Sequence, residues 1–218
     1  VPDTAIEDLS QYAFASAVRR DVNDVDMTET TTDYALDQRA GWPPELRVLL
    51  ERYPRETWSQ SASPLAQFWL DKHDAFRRYG QMLVAAADDY REGRTAPAEL
   101  AAWSVPRLQG FLGGLHGHHQ IEDFHYFPAF RAAESRLAAG FDVLANDHEL
   151  LHRGIVDVVE TVNAFVAAIR EGPSEHADAQ RETADRYARS CELLYRRLCR
   201  HLDDEEDLII PVMLNRGE

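Results

Sequence analysis

One short pattern occurs twice in this chain and narrows what it can fold into. His118 is followed by Glu122 and Pro128, and His201 by Glu205 and Pro211. In each copy a carboxylate stands four residues after an imidazole, and a proline ten residues after it. Four residues is just over one helical turn, so each His and Glu point the same way from one helix. The proline six residues beyond each Glu marks where that helix is expected to end or kink. Two helices that present the same nitrogen and oxygen donors form the start of a metal site, and the rest of the chain can be searched for the missing ligands.

The surrounding sequence reads as helical. Ser63-Pro64 is an N-cap followed by proline at the first helical position. It opens a helix with the inward stripe Leu65, Trp69, His73, Phe76, Gly80, Leu83, Ala87 and Tyr90, and a stop at Gly93. A second helical region runs from Pro97 to Phe127, with a break expected near Pro106, and carries Leu108, Phe111, Leu115, His118, Glu122 and His125. A short helix over Pro128 to Leu137 follows. A third long helix, Phe141 to Arg170, carries Leu144, His148, Leu151, Ile155, Val159 and Val162, and Gly172-Pro173 stops it. The fourth, Ala177 to Ile210, carries Tyr187, Cys191, Leu194, Leu198, His201, Glu205 and Leu208. No strand alternation appears after Ser63. The expected fold is all-α, an antiparallel up-down four-helix bundle over residues 63–218. Residues 1–62 read as an N-terminal helical extension packed on it. There, Ile6 to Val18 fits a short amphipathic helix and Thr28 to Thr32 a loop. Pro43-Pro44 opens a helix with Leu46, Leu49 and Leu50 that ends before Pro54.

What interrupts the stripes carries the chemistry. His73, His118, Glu122, His148, His201 and Glu205 stand where apolar residues belong. Burying even a neutral polar group without a partner costs on the order of 2–7 kcal/mol. A buried carboxylate therefore needs a proton, a hydrogen-bonded cation or a metal, and few Lys or Arg residues face these stripes. His152, four residues after His148, lies on the same helix face, a spacing common in metal-binding units. Five imidazoles and two carboxylates from four helices suit two adjacent metals that share bridging carboxylates and an oxo or hydroxo group, with one position open. Imidazole and carboxylate suit iron, manganese or zinc, and oxygen-rich bridging favours the redox metals.

Composition bounds the partners. A net charge of -15 disfavours nucleic acid and anionic membrane surfaces, both of which need basic patches. No apolar run is long enough to span a bilayer, and the first residues carry no basic-then-apolar signal pattern. Cys191 and Cys199 sit eight residues apart in one helix, roughly 12 Å and too far for a disulfide with each other. Free thiols fit a reducing cytoplasm. No Cys-x-x-Cys, P-loop or Gly-rich nucleotide signature supplies a second cofactor, so any electron donor is external.

The order His, His-x-x-x-Glu, His-x-x-x-His, His-x-x-x-Glu resembles the hemerythrin-like, or HHE cation-binding, domain from Ser63 to about Asn215. The resemblance implies that His148, His152 and His201 hold one iron and His73 and His118 the other. It implies that Glu122 and Glu205 bridge, and that the second iron keeps an open position for dioxygen or another small ligand. Respiratory hemerythrins carry an Asp five residues after the last His; that position here is Glu206, a substitute for the Glu205 favoured by the repeat. His119 and His125 are extra to the family pattern. His125, seven residues after His118, is expected on the same face as a further ligand, a proton relay or a partner to a ligand. His119 reads as a further ligand or partner to a ligand, or else as a rim residue at the helix boundary, and His116 and His176 are expected at the surface. The chemistry implied is binding or reduction of dioxygen, peroxide or nitric oxide, with His125 or Tyr126 as a proton donor. The alternatives are an iron or oxygen sensor without turnover, a structural metal site, or a ferritin-like di-iron bundle built on Glu122-x-x-His125 and Glu149-x-x-His152. The last needs a lone inward Glu on each of the other two helices, and the first helix has none.

Overall fold

Helix starts in this chain are written in its caps. Ser63 Oγ accepts a hydrogen bond from the Ala66 amide at 3.1 Å, and the Ala96 amide donates to Glu99 Oε2 at 3.2 Å. Pro64 and Pro97 follow these caps as first helical residues. At the other end of the first long helix, Gly93 has φ +74°, a left-handed stop that favours glycine.

The computed structural model describes residues 34–171 and 177–217. Its helices are α1 (Val48–Arg52), α2 (Trp58–Ser61), α3 (Pro64–Arg91), α4 (Pro97–Ile121), α5 (Phe127–Ala133), α6 (Ala138–Arg170) and α7 (Ala177–Arg216). One π turn, Glu122–Tyr126, joins α4 to α5, and short 3-10 turns cover Pro44–Leu46, Arg55–Thr57 and Ser135–Leu137. The fold is all-helical, with no strand among the described residues. None of these helices is long and apolar enough to cross a membrane. The expected helix over Ile6 to Val18, the Thr28 to Thr32 loop and the Gly172-Pro173 stop lie outside the described residues.

Two prolines behave differently from their sequence expectation. Pro106 lies inside α4 and Pro211 inside α7, and neither ends its helix. Pro106 is exposed, and so is Ala102, the residue whose carbonyl loses its helical partner, so solvent can reach that oxygen. Around Pro211 the buried Leu208, Ile209, Ile210, Val212 and Met213 hold the last turns in the core. Tertiary packing thus outweighs the local cost of the proline.

The described residues divide into two compact units, and the boundary cuts the long helices. One unit comprises Arg77–Gly117 and Leu151–Arg196; the other comprises residues 34–76, His118–Leu150 and 197–217. The first has an apolar interior that includes Leu83, Leu112, Ile155, Phe165, Tyr187 and Leu194. The Phe165 and Tyr187 rings stack there at 6.1 Å. A Cβ on its Gly80 would stand 2.5 Å from a Tyr195 ring carbon, so that close approach requires glycine. In the second unit, Trp42, Leu46, Leu49 and Trp58 from before α3 share one core cluster with Trp69, Phe127, Phe141, Leu208 and Met213.

Candidate metal centre

Most of the buried ionisable side chains described in the second unit converge on one place. Two groups of donor atoms form there, each with its ligand atoms within 4.8 Å of one another: His119, His148 and His201 in one, and His73, His118, Glu122 and Glu205 in the other. Helix α3 supplies His73, α4 supplies His118 and His119, the π turn supplies Glu122, α6 supplies His148, and α7 supplies His201 and Glu205.

The two glutamates span both groups. Glu122 Oε1 is 2.9 Å from His118 Nε2, and its Oε2 is 3.6 Å from His148 Nε2. Glu205 Oε1 is 3.5 Å from His73 Nε2, and its Oε2 is 3.1 Å from His201 Nε2. Each carboxylate therefore turns one oxygen to a histidine of each group. Trp69 Nε1 donates to Glu205 Oε1 at 2.8 Å and fixes that carboxylate's rotation.

Three of the imidazoles are held from behind by carboxylates. His73 Nδ1 lies 3.0 Å from Glu206 Oε1, His148 Nδ1 2.9 Å from Asp123 Oδ1, and His201 Nδ1 3.3 Å from Asp147 Oδ2. A carboxylate on Nδ1 keeps the proton there and aims Nε2 inward. As a result, Nε2 atoms face one another in pairs: His73 and His118 at 3.2 Å, His148 and His201 at 3.1 Å. Two nitrogen lone pairs cannot face each other at that distance without positive charge between them, either a proton or a cation. Adjacent ligand positions on a cation with bonds of about 2.1 Å lie about 3 Å apart, and these pairs have that spacing. His119 Nε2 and both Glu122 oxygens, all buried, meet no hydrogen-bond donor. These donors fit a metal better than they fit one another.

The electrostatics agree with the geometry. Burial opposes a charge on His201, but Asp147 and Glu205 outweigh it and raise its pKa to about 9. His73 is raised in the same way against burial, by Glu205 and Glu206. Burial drives His118 down to about 3 and His119 well below its usual value, with neighbouring imidazoles adding to both, so each keeps a bare nitrogen. Burial, Glu205 and Asp123 push the Glu122 carboxyl well up. Burial acts the same way on Glu205, but His73 and His201 overcome it and hold that carboxyl well below the usual range. The two imidazoles that are raised, His73 and His201, are the two that face Glu205.

Three further histidines are expected from the sequence at or near the site. His152 lies outside both groups, one turn further along α6 than His148, with its ring 5.5 Å from that of His116. His119 is no rim residue: it is buried, and its ring stacks on that of His148 at 4.0 Å. His125 is exposed and belongs to neither group, so it does not share the face of His118. The π turn accounts for this: its wider turn advances each residue by less than the roughly 100° of an α-helix and so rotates the later side chain away. Tyr126, in the same turn, packs its ring edge-on to Trp69 at 4.8 Å. Glu206 faces the outer side of His73. The holders Asp123 and Asp147 had no signal in the apolar stripes, because each adjoins a stripe residue in sequence, about 100° round the helix.

A family model described as the hemerythrin HHE cation binding domain matches residues 65–213. Neither a comparison with curated proteins nor one with solved structures gave a match.

Proposed function

Because the chain belongs to the hemerythrin HHE cation-binding family, we propose that it binds two iron ions, one at each donor group, and that this pair binds or reduces a small oxidant: dioxygen, peroxide or nitric oxide. The observation that carries this reading is that Glu122 and Glu205 each turn one oxygen to each group. One carboxylate could serve a single ion; two that span both groups are built for a pair. The long helices α3, α4, α6 and α7 are read as an antiparallel up-down bundle that brings these donors together.

The ligand assignment is His119, His148 and His201 for one ion and His73 and His118 for the other, with Glu122 and Glu205 shared. His119 takes the place that the family pattern gives to His152, which lies outside both groups. Iron held by such donors supplies one-electron redox chemistry and Lewis acidity toward a small ligand. The protein's part is to aim and limit. Asp123, Asp147 and Glu206 hold three imidazoles in one tautomer, and Trp69 fixes Glu205. The group with two imidazoles has fewer protein donors, so it is the one that keeps room for an added ligand. His118, with 15% of its side chain exposed, is its only histidine that reaches the surface. Manganese or zinc would meet the same donors, but only a redox metal serves the proposed reaction, with electrons from an external donor.

The test is to load the protein with ferrous iron under anaerobic conditions, count the metal, then admit oxygen and record the spectrum. About two irons per chain and a visible band that appears with oxygen and reverses under vacuum would establish oxygen binding. Two irons that oxidise irreversibly while peroxide or nitric oxide is consumed would establish reduction. Two irons with neither response would favour sensing. No iron, or a single zinc, would overturn the paired-iron reading.

A further inference from the structure

Residues before α3 reach the outer side of both donor groups. Arg39, whose side chain is 1% exposed, grips Asp147 with both terminal nitrogens, Nη2 to Oδ2 at 2.5 Å and Nη1 to Oδ1 at 3.4 Å. Its Nε donates to Asp204 Oδ2 at 2.7 Å and its Nη1 to the Tyr34 carbonyl at 2.8 Å. Asp147 is the carboxylate behind His201 Nδ1. Arg55 repeats the arrangement on the other group. Its Nη1 lies 3.4 Å from Glu206 Oε2, its Nε donates to Asp207 Oδ1 at 2.5 Å, and its Nη2 donates to the Asp203 carbonyl at 2.6 Å. Glu206 is the carboxylate behind His73 Nδ1. One histidine of each group is thus backed by a carboxylate, and that carboxylate by a guanidinium. Both arginines precede residues 65–213, the span of the family match.

We infer that Arg39 and Arg55 are positioning residues of the metal centre, which set the donor strength of His201 and His73 through Asp147 and Glu206. A carboxylate on Nδ1–H makes an imidazole a stronger donor, and more so the less its own charge is shared. A guanidinium takes part of that charge and holds the carboxylate plane with a rigid fork, which a lysine cannot reproduce. The positive charge also favours the less charged, ferrous state of the nearby metal. Removing it while keeping the side chain's bulk and polarity therefore stabilises ferric iron and lowers the reduction potential. The segment before α3 is then part of the centre, and it tunes a site whose ligands all lie within the matched domain.

The inference rests on the iron-binding reading, and its test separates the two. Arg39→Gln, Arg39→Lys, Arg55→Gln and the unaltered protein are loaded with ferrous iron, counted for metal, and titrated to their reduction midpoints. Each Gln variant is expected to keep its iron and to shift the ferric-to-ferrous ratio at fixed potential about tenfold toward ferric, a fall of about 59 mV. Arg39→Lys is expected to recover most of that shift, because the charge returns without the fork. Arg55 is 41% exposed on its side chain, so Arg55→Gln folds and gives a reading even if the buried Arg39→Gln does not. Iron retained with an unchanged midpoint in Arg55→Gln, or in both Gln variants where both fold, would overturn the inference. Failure of the unaltered protein to take up iron would instead overturn the reading beneath it.

Discussion

The two units of this chain are built from stretches of the same long helices and both have apolar interiors, yet only one of them also buries charge. In the unit formed by Arg77–Gly117 and Leu151–Arg196, the buried polar residues among those described are Ser104 and Gln180, joined by the Tyr187 hydroxyl and the Cys191 thiol, none of them charged at neutral pH. In the other, they are Arg39, His73, His119, Glu122, Asp147, His148, His201, Asp204, Glu205 and Glu206, and every one is ionisable. Apolar burial contributes about 25 cal/mol per Å², whereas a buried ion pair at best offsets its own desolvation. The second unit has a large apolar cluster of its own, so the expected difference is that it also spends part of its stability on buried charge, which the first does not.

The largest effect that would sharpen the contrast is at Glu122. Glu122→Gln keeps the shape but removes the negative charge shared by both donor groups. It should lose most of the bound iron, measured as metal per chain. The metal-free variant should be more stable than the metal-free parent, by about 1–3 kcal/mol in urea unfolding, because a buried carboxylate beside Glu205 becomes neutral. The loaded parent should regain the advantage, since a ligand at a thousand times its dissociation constant adds about 4 kcal/mol. Full iron retention by the variant would remove Glu122 from the centre.

In the apolar unit the signs reverse. Phe165→Ala empties a fully buried ring position and should cost about 3–5 kcal/mol, with iron per chain unchanged in the folded fraction. Gly80→Ala should cost less, about 1–3 kcal/mol, because the Tyr195 ring must shift from the new methyl. Urea unfolding and metal analysis on the same samples check both. A loss of iron as large as the loss of stability in either variant would mean that the division of labour is wrong.

The same contrast explains what could be read from sequence. The helices and their inward stripes were legible because apolar spacing, caps and glycine stops are local. The pairs His118/Glu122 and His201/Glu205 were legible because an imidazole and a carboxylate at apolar positions have no cheap alternative. His119 was legible only as one alternative, a further ligand or a rim residue, since a one-residue step turns about 100° round a helix and no stripe contains both it and His118. His125 misled, because a seven-residue spacing returns to the same face only if every turn is α, and Glu122–Tyr126 is a π turn. Pro211 suggested an end where tertiary packing carries α7 on to Arg216. Arg39 and Arg55 had no local signal: their partners Asp147 and Glu206 are 108 and 151 residues away, and a lone arginine in a weakly patterned stretch resembles any solvated charge.

The smallest predicted effect probes the apolar unit through its one strongly shifted thiol. Burial raises Cys191 from 9.0 to about 12, against a smaller effect of the neighbouring Tyr187 hydroxyl that acts the other way. An acid whose pKa is higher when folded is favoured in its neutral form by the native state. Above pH 9 the unfolded chain sheds this proton while the native chain keeps it, so stability falls as pH rises from about 9 and levels off only near 12. At pH 10 the loss assigned to Cys191 is about 1.4 kcal/mol. Tyr187, raised well above 10 first by burial and next by Cys191, works in the same direction, and the burial part of its effect remains when Cys191 is replaced. Urea unfolding of the metal-free protein at pH 8 and pH 10, in the parent and in Cys191→Ala, isolates the thiol as the difference of two differences. The parent should lose about 1.4 kcal/mol more than the variant between the two pH values. Equal losses would mean that the thiol ionises as readily folded as unfolded, and that burial does not hold it neutral.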